Sequence, residues 1–195
     1  DFNNVVTAAL NKEPARIPLY EHIVSDVIME QILGKEFRQL YDTDIDEYFK
    51  IFNCFFKSHG YDTVSFEGCV TEVLPHGGAL AHPQPGYIDG WERFNSYPFE
   101  SVKDLYVKKF DRAFKALRDN MPEGMKAIGG VGNGIFEIVQ DLVGFESLCI
   151  MSFEEPELYA EIFVRAGDIM EEIWAWFLEN HGDTYCVCRF GDDLG

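Results

Sequence analysis

Thr184-Tyr-Cys-Val-Cys-Arg-Phe190, followed at once by Gly191-Asp-Asp-Leu-Gly195, is the stretch on which the fold reading turns. Its first seven residues are too short for a helix and rich in β-branched and aromatic side chains, and a glycine closes them. They read as a strand whose far end carries two adjacent carboxylates, Asp192 and Asp193. Three more such runs precede it: Arg16–Glu21, with Pro18 suited to a strand's first positions, then Thr63–Glu67 and Lys126–Val131.

Helical patterns separate these runs. Ile45, Tyr48, Phe49, Phe52, Phe55 and Phe56 recur at helical spacing between Asp44 and a natural stop at Gly60. Val102, Leu105, Tyr106, Phe110, Phe114 and Leu117 form a second stripe, and Pro156 opens a long helix that runs to about Asn180. Shorter helices are expected near Asn4–Leu10, through Ile28, Ile32 and Leu33 to Gly34, and after Gly134. Strands alternating with helices argue for an α/β protein with parallel strands and right-handed crossovers, as a doubly wound sheet or a barrel. Four such strands without a covering helix after the last leave apolar edges unprotected, so further chain is expected after Gly195. Residues 74–98, with Gly77-Gly78, Pro83, Pro85 and Gly86, are too long and turn-rich for a plain connector and read as an insertion at the mouth of a site.

The 34 acidic against 16 basic residues give a net charge of -18, which repels a nucleic-acid backbone and an anionic membrane. Neither is expected as a partner. No apolar run reaches the ~18 residues that span a bilayer, and no basic-then-apolar leader opens the chain. Five cysteines at irregular spacing suit a reducing cytoplasm.

In parallel α/β folds the site lies just past the C-terminal ends of the strands. That rule selects Glu21, His22, Glu67, Asn133, Asp192 and Asp193. Two adjacent carboxylates can anchor N–H groups, hold a cation, or split their pKa values for acid–base work, while one of them can equally cap a helix. His76 and His82, inside the 74–98 segment, are the histidines expected to face a pocket. Cys186 and Cys188 fit no zinc spacing, and Gly129–Gly134 lacks the lysine and spacing of a phosphate loop. No metal ligands are assigned.

Asn4-Val-Val-Thr-Ala-Ala-Leu-Asn11, Glu13-Pro-Ala-Arg-Ile-Pro18 and Arg189-Phe-Gly-Asp-Asp-Leu-Gly195 together resemble the uroporphyrinogen decarboxylase superfamily across essentially the whole chain. The resemblance implies a (β/α)8 TIM barrel, with residues 1–195 supplying its N-terminal half, roughly the first four βα units. It brings in two chemistries, haem-pathway decarboxylation and corrinoid-linked methyl transfer. It implies a tetrapyrrole, corrinoid or other small-molecule ligand, with zinc ligands in chain beyond Gly195, and leaves open a homodimer. Ile23 and Val27 stand where the decarboxylase motif has its two carboxylate-binding arginines, and Glu67 stands at its second-strand aspartate. Methyl transfer is therefore the expected activity, with Glu67, Asp192 and Asp193 catalytic and Glu21, His22, His76, His82 and Asn133 binding substrate. Porphyrinogen decarboxylation and a non-catalytic tetrapyrrole- or corrinoid-binding module are the alternatives.

Overall fold

The computed structural model describes residues 1–82 and 85–193. Pro83 and Gln84 of the 74–98 segment, and Leu194 and Gly195 of the closing motif, lie outside the described residues. In chain order the helices and strands are α1 (Asn3–Ala9), α2 (Asp26–Leu33), α3 (Leu40–Thr43), α4 (Ile45–Ser58), β1 (Val64–Cys69), α5 (Trp91–Ser96), α6 (Val102–Asp119), β2 (Ala127–Gly132), α7 (Ile135–Val143), α8 (Phe145–Glu154), α9 (Pro156–His181) and β3 (Tyr185–Cys188). They fall into two compact units. The first comprises Asp1–Glu67, Phe110–Gly130 and Glu179–Arg189; the second comprises Gly68–Lys109, Val131–Leu178 and Phe190–Gly195.

The strands form one three-stranded parallel sheet in the order β1-β2-β3, and the sheet is not closed. In the first unit β2 pairs with β3 through Ala127 with Tyr185, Ile128 with Val187 and Gly129 with Cys188, with an irregularity between Ala127 and Ile128. As the central strand, β2 is buried at every residue. That is what a strand covered on both faces requires.

The structure is 58% helical, and the three open strands among the described residues are not a (β/α)8 TIM barrel, nor four units of one. The expectation of that barrel is corrected. Part of the reason lies at Arg16–Glu21, which forms no strand. Its backbone groups do meet the β1 region, but side chains intercept them. The Leu19 N–H donates to the Asp62 carboxylate at 2.8 Å, and the Ser65 hydroxyl donates to the Glu21 carbonyl. One backbone bond, from Asp62 N–H to Leu19 C=O at 3.1 Å, is left where a ladder was expected, and Pro18 has no N–H to add another.

The first unit's core is aromatic. Tyr48, Phe49, Phe52, Phe55 and Phe56 of α4 are buried as the periodicity requires, and Asp44 caps that helix by accepting from Glu47 N–H at 3.1 Å. Phe49 packs edge-on to Phe66 of β1 at 5.0 Å, and Phe66 packs edge-on to Phe114 at 5.7 Å, which ties helix to sheet. Each such ring pair adds about 0.5–1.5 kcal/mol beyond its area burial. Asn53, fully buried on the same helix, donates from Nδ2 to the carbonyls of Leu117 and Asn120, both at 3.0 Å, and so satisfies backbone groups at and beyond the end of α6.

The second unit is helical, its core built on Ile138, Val139, Leu142 and Val143 of α7 with Leu148, Met151, Leu158, Ile162 and Ile173, and on the rings of Phe94, Tyr97, Phe99, Tyr106 and Phe177. The described part of the 74–98 segment is strapped to the C-terminal end of α7. Ala79 N–H donates to the Asp141 carbonyl, Gly86 N–H to Val143 and Ile88 N–H to Leu142. At Gly86 a Cβ would lie 2.3 Å from the Leu142 carbonyl oxygen, so only glycine permits this approach.

Candidate functional site

A charged cluster of the first unit lies toward the C-terminal end of the sheet, with Glu67 on β1 and Arg189 directly after β3. Glu67 receives the Arg189 guanidinium through three contacts: Nε to Oε1 at 2.8 Å, Nη2 to Oε1 at 2.6 Å and Nη2 to Oε2 at 2.8 Å. Such a fork fixes both planes. The Glu67 side chain is 13% exposed and that of Arg189 36%. Gly129 of β2 makes the pairing possible. Arg189 N–H donates to the Gly129 carbonyl at 2.9 Å, and a Cβ on Gly129 would lie 2.7 Å from Glu67 Cγ. The missing side chain lets Glu67 pass over the central strand to reach Arg189. Gly129 also has φ +124°, which side-chain-bearing residues rarely adopt.

His22 completes the group, its Nε2 standing 2.9 Å from Arg189 Nη2. Arginine has no lone pair to offer, so Nε2 accepts and the neutral ring carries its proton on Nδ1. Tyr20 feels the same charges. Burial pushes its phenol above the ordinary value, Arg189 draws it back, and Glu67 and Glu21 push it up again. Glu21 itself is exposed, with its backbone carbonyl held by Ser65. The structure thus brings together Glu67 and His22, with Glu21 within electrostatic reach.

The remaining candidates lie in the second unit, where Asn133, Asp192 and His76 have structural partners. Asn133, left-handed at φ 69°, accepts on Oδ1 from both the N–H and the hydroxyl of Thr71, at 3.1 and 2.9 Å. Asp192 accepts from Phe136 N–H on both oxygens at 3.2 Å, and from the N–H of Asp193 at 2.8 Å. Glu137 bonds Gly134 N–H at 2.8 Å. The N-terminus of α7 is therefore filled by carboxylates of the chain itself, in the place an anion would take. The Asp193 side chain is exposed and has no hydrogen-bond partner among the described residues. His76 stacks on Tyr87 at 4.4 Å. His82 lines a cavity of about 510 Å³ together with Leu80, Gln140, Phe145, Glu146 and Ser147.

Burial raises the thiols of Cys186 and Cys188, which disfavours thiolate ligation or nucleophilic attack. Among the described residues no three His, Cys, Asp or Glu side chains gather closely enough to hold a metal ion. Nor does His22 offer a free Nε2 to a corrinoid cobalt, because Arg189 already occupies it.

Arg189 and Gly129 were not among the residues selected by strand-end logic. The signal for Arg189 was position: it follows β3 directly, near the C-terminal end of the sheet, where Glu67 also lies. Set against known proteins, the chain matches no family model, no curated protein and no solved structure, and nothing in those comparisons points to the uroporphyrinogen decarboxylase superfamily.

Proposed function

We propose that this chain serves methyl transfer involving a small methylated molecule or a corrinoid, with Glu67, Arg189 and His22 as its substrate site. The observation that carries the reading is the forked Glu67–Arg189 pair with His22 held as a neutral acceptor. Porphyrinogen decarboxylation would need several cations to neutralise a many-carboxylate substrate. Arg189 is a single cation whose charge is shared with Glu67, and apolar Ile23, 69% exposed, and Val27 stand where the resemblance would put further arginines. A methyl group asks for no charge neutralisation. It requires that the polar remainder of its carrier be held in one orientation.

Glu67 fixes the guanidinium, the guanidinium fixes the His22 tautomer, and the ring then presents Nδ1–H as a donor of defined direction. No proton leaves these groups in this scheme, and they act by orienting the substrate. The test mixes the protein with methylcobalamin and a small thiol and follows loss of the methyl–cobalt absorbance, with a parallel measurement of carbon dioxide released from uroporphyrinogen. Saturable methyl transfer that Glu67→Gln abolishes supports the reading, and carbon dioxide release would replace it with decarboxylation. Corrinoid binding without turnover, indifferent to Glu67→Gln, Asp192→Asn and Asp193→Asn, would make the chain a binding module.

A further inference from the structure

Arg189 has five N–H donors in a rigid plane. The Nε–H and the Nη2 group are committed to Glu67 and His22, whereas Nη1 has no hydrogen-bond partner among the described residues. The side chain is 36% exposed, and the Glu67 and His22 contacts clamp its plane, so the uncommitted nitrogen belongs to a group that cannot swing away. The pair is neutral as a whole but directional. Its negative end is the Glu67 carboxylate, and its positive end is the uncommitted nitrogen. We infer that this nitrogen receives a single anionic oxygen group, a carboxylate, of the substrate. The inference rests on reading the strand-end cluster as the substrate site, and it narrows that site to mono-anionic molecules.

The seat of Glu67 supports this assignment, while the net charge of -18 opposes an anion at long range and leaves short-range contact with the guanidinium to hold it. Glu67 lies over Gly129, whose own Cβ would stand 3.2 Å from Glu67 Oε1, so the carboxylate has a fixed seat on one side of the guanidinium. Glu67 therefore positions Arg189 and at the same time competes electrostatically with an incoming anion. That double role separates a binding nitrogen from a merely structural one.

The experiment titrates ¹⁵N-labelled protein in low salt with acetate, and separately with its neutral isostere acetamide, reading the Arg189 Nε–H resonance. Acetate is expected to give a saturating shift that acetamide does not. Arg189→Lys, read through the backbone amides of Glu67 and Gly129, should weaken acetate by about tenfold or more, because the planar edge is lost. Glu67→Gln removes the competing charge and should tighten acetate, even though its amide cannot accept the full fork and leaves a bound substrate poorly oriented for transfer. Equal responses to acetate and acetamide overturn the inference, as does weaker acetate binding by Glu67→Gln. Acetate binding without methyl transfer would sink the proposed activity while leaving this inference standing. Methyl transfer with no preference for acetate over acetamide would do the reverse.

Discussion

Glu67 in the first unit and Asp192 in the second are both carboxylates at or just beyond the C-terminal reaches of strands, yet they are used differently. Asp192 accepts from Phe136 N–H and from the N–H of Asp193, so the start of α7 and its own turn claim it. Glu67 accepts from a side chain, Arg189, that keeps a nitrogen uncommitted among the described residues. A carboxylate bound to backbone donors builds the fold. One bound to a half-exposed guanidinium shapes a charge that a ligand can meet.

The strongest way to break this contrast is Gly129→Ala. The added methyl would stand 2.6 Å from the Phe66 carbonyl and 2.7 Å from Glu67 Cγ, at a φ that alanine disfavours. A loss of about 3 kcal/mol is expected by chemical denaturation. Next comes Glu67→Ala, which leaves Arg189 unpaired in a partly solvated place. Since Arg189 is 36% exposed, about 1–2 kcal/mol is expected, less than for a fully buried pair. Asp192→Ala removes a helix cap and should cost about 1 kcal/mol. Asp193→Asn, whose side chain has no hydrogen-bond partner among the described residues, should stay within about 0.5 kcal/mol of the parent. If Asp192→Ala proves harmless to stability, the contrast between fold-building and site-building carboxylates collapses.

A smaller effect concerns pH. His181, whose side chain is 1% exposed, lies 3.1 Å from Asp111. Burial lowers its pKa below the ordinary histidine value, and Asp111 opposes that only in part. The folded state therefore prefers the neutral ring, and its Nε2 contact is a hydrogen bond to a carboxylate. The unfolded chain takes up the proton first, so stability falls as pH drops through the ordinary histidine range near 6.5. Denaturation at pH 7.5 and 5.5 should show a smaller difference for His181→Gln than for the parent.

Much of the local structure was legible in the residues. The α4 stripe from Tyr48 to Phe56, the strands at β1, β2 and β3, and the Pro156 helix start all lie where periodicity and capping put them. The strand expected at Arg16–Glu21 failed because side chains distant in sequence, Asp62 and Ser65, take its backbone groups. No local pattern reveals that. The barrel expectation joined four expected strands to a family resemblance, and an open sheet of three strands overturns it. Of the candidate site, Glu67 lies on a strand the sequence shows, whereas the rule that selects His22 rests on a strand at Arg16–Glu21 that does not form. Arg189 lies within the 184–190 run just before its end, and the Asp192 link to Phe136 depends on a return of the chain across 56 residues.

The most direct test compares kcat/KM for methyl transfer in Glu67→Gln and Asp192→Asn, each checked for intact folding. Glu67→Gln should lose about a hundredfold or more. Asp192→Asn should change little beyond its effect on stability. A large loss in Asp192→Asn with Glu67→Gln fully active would contradict that assignment.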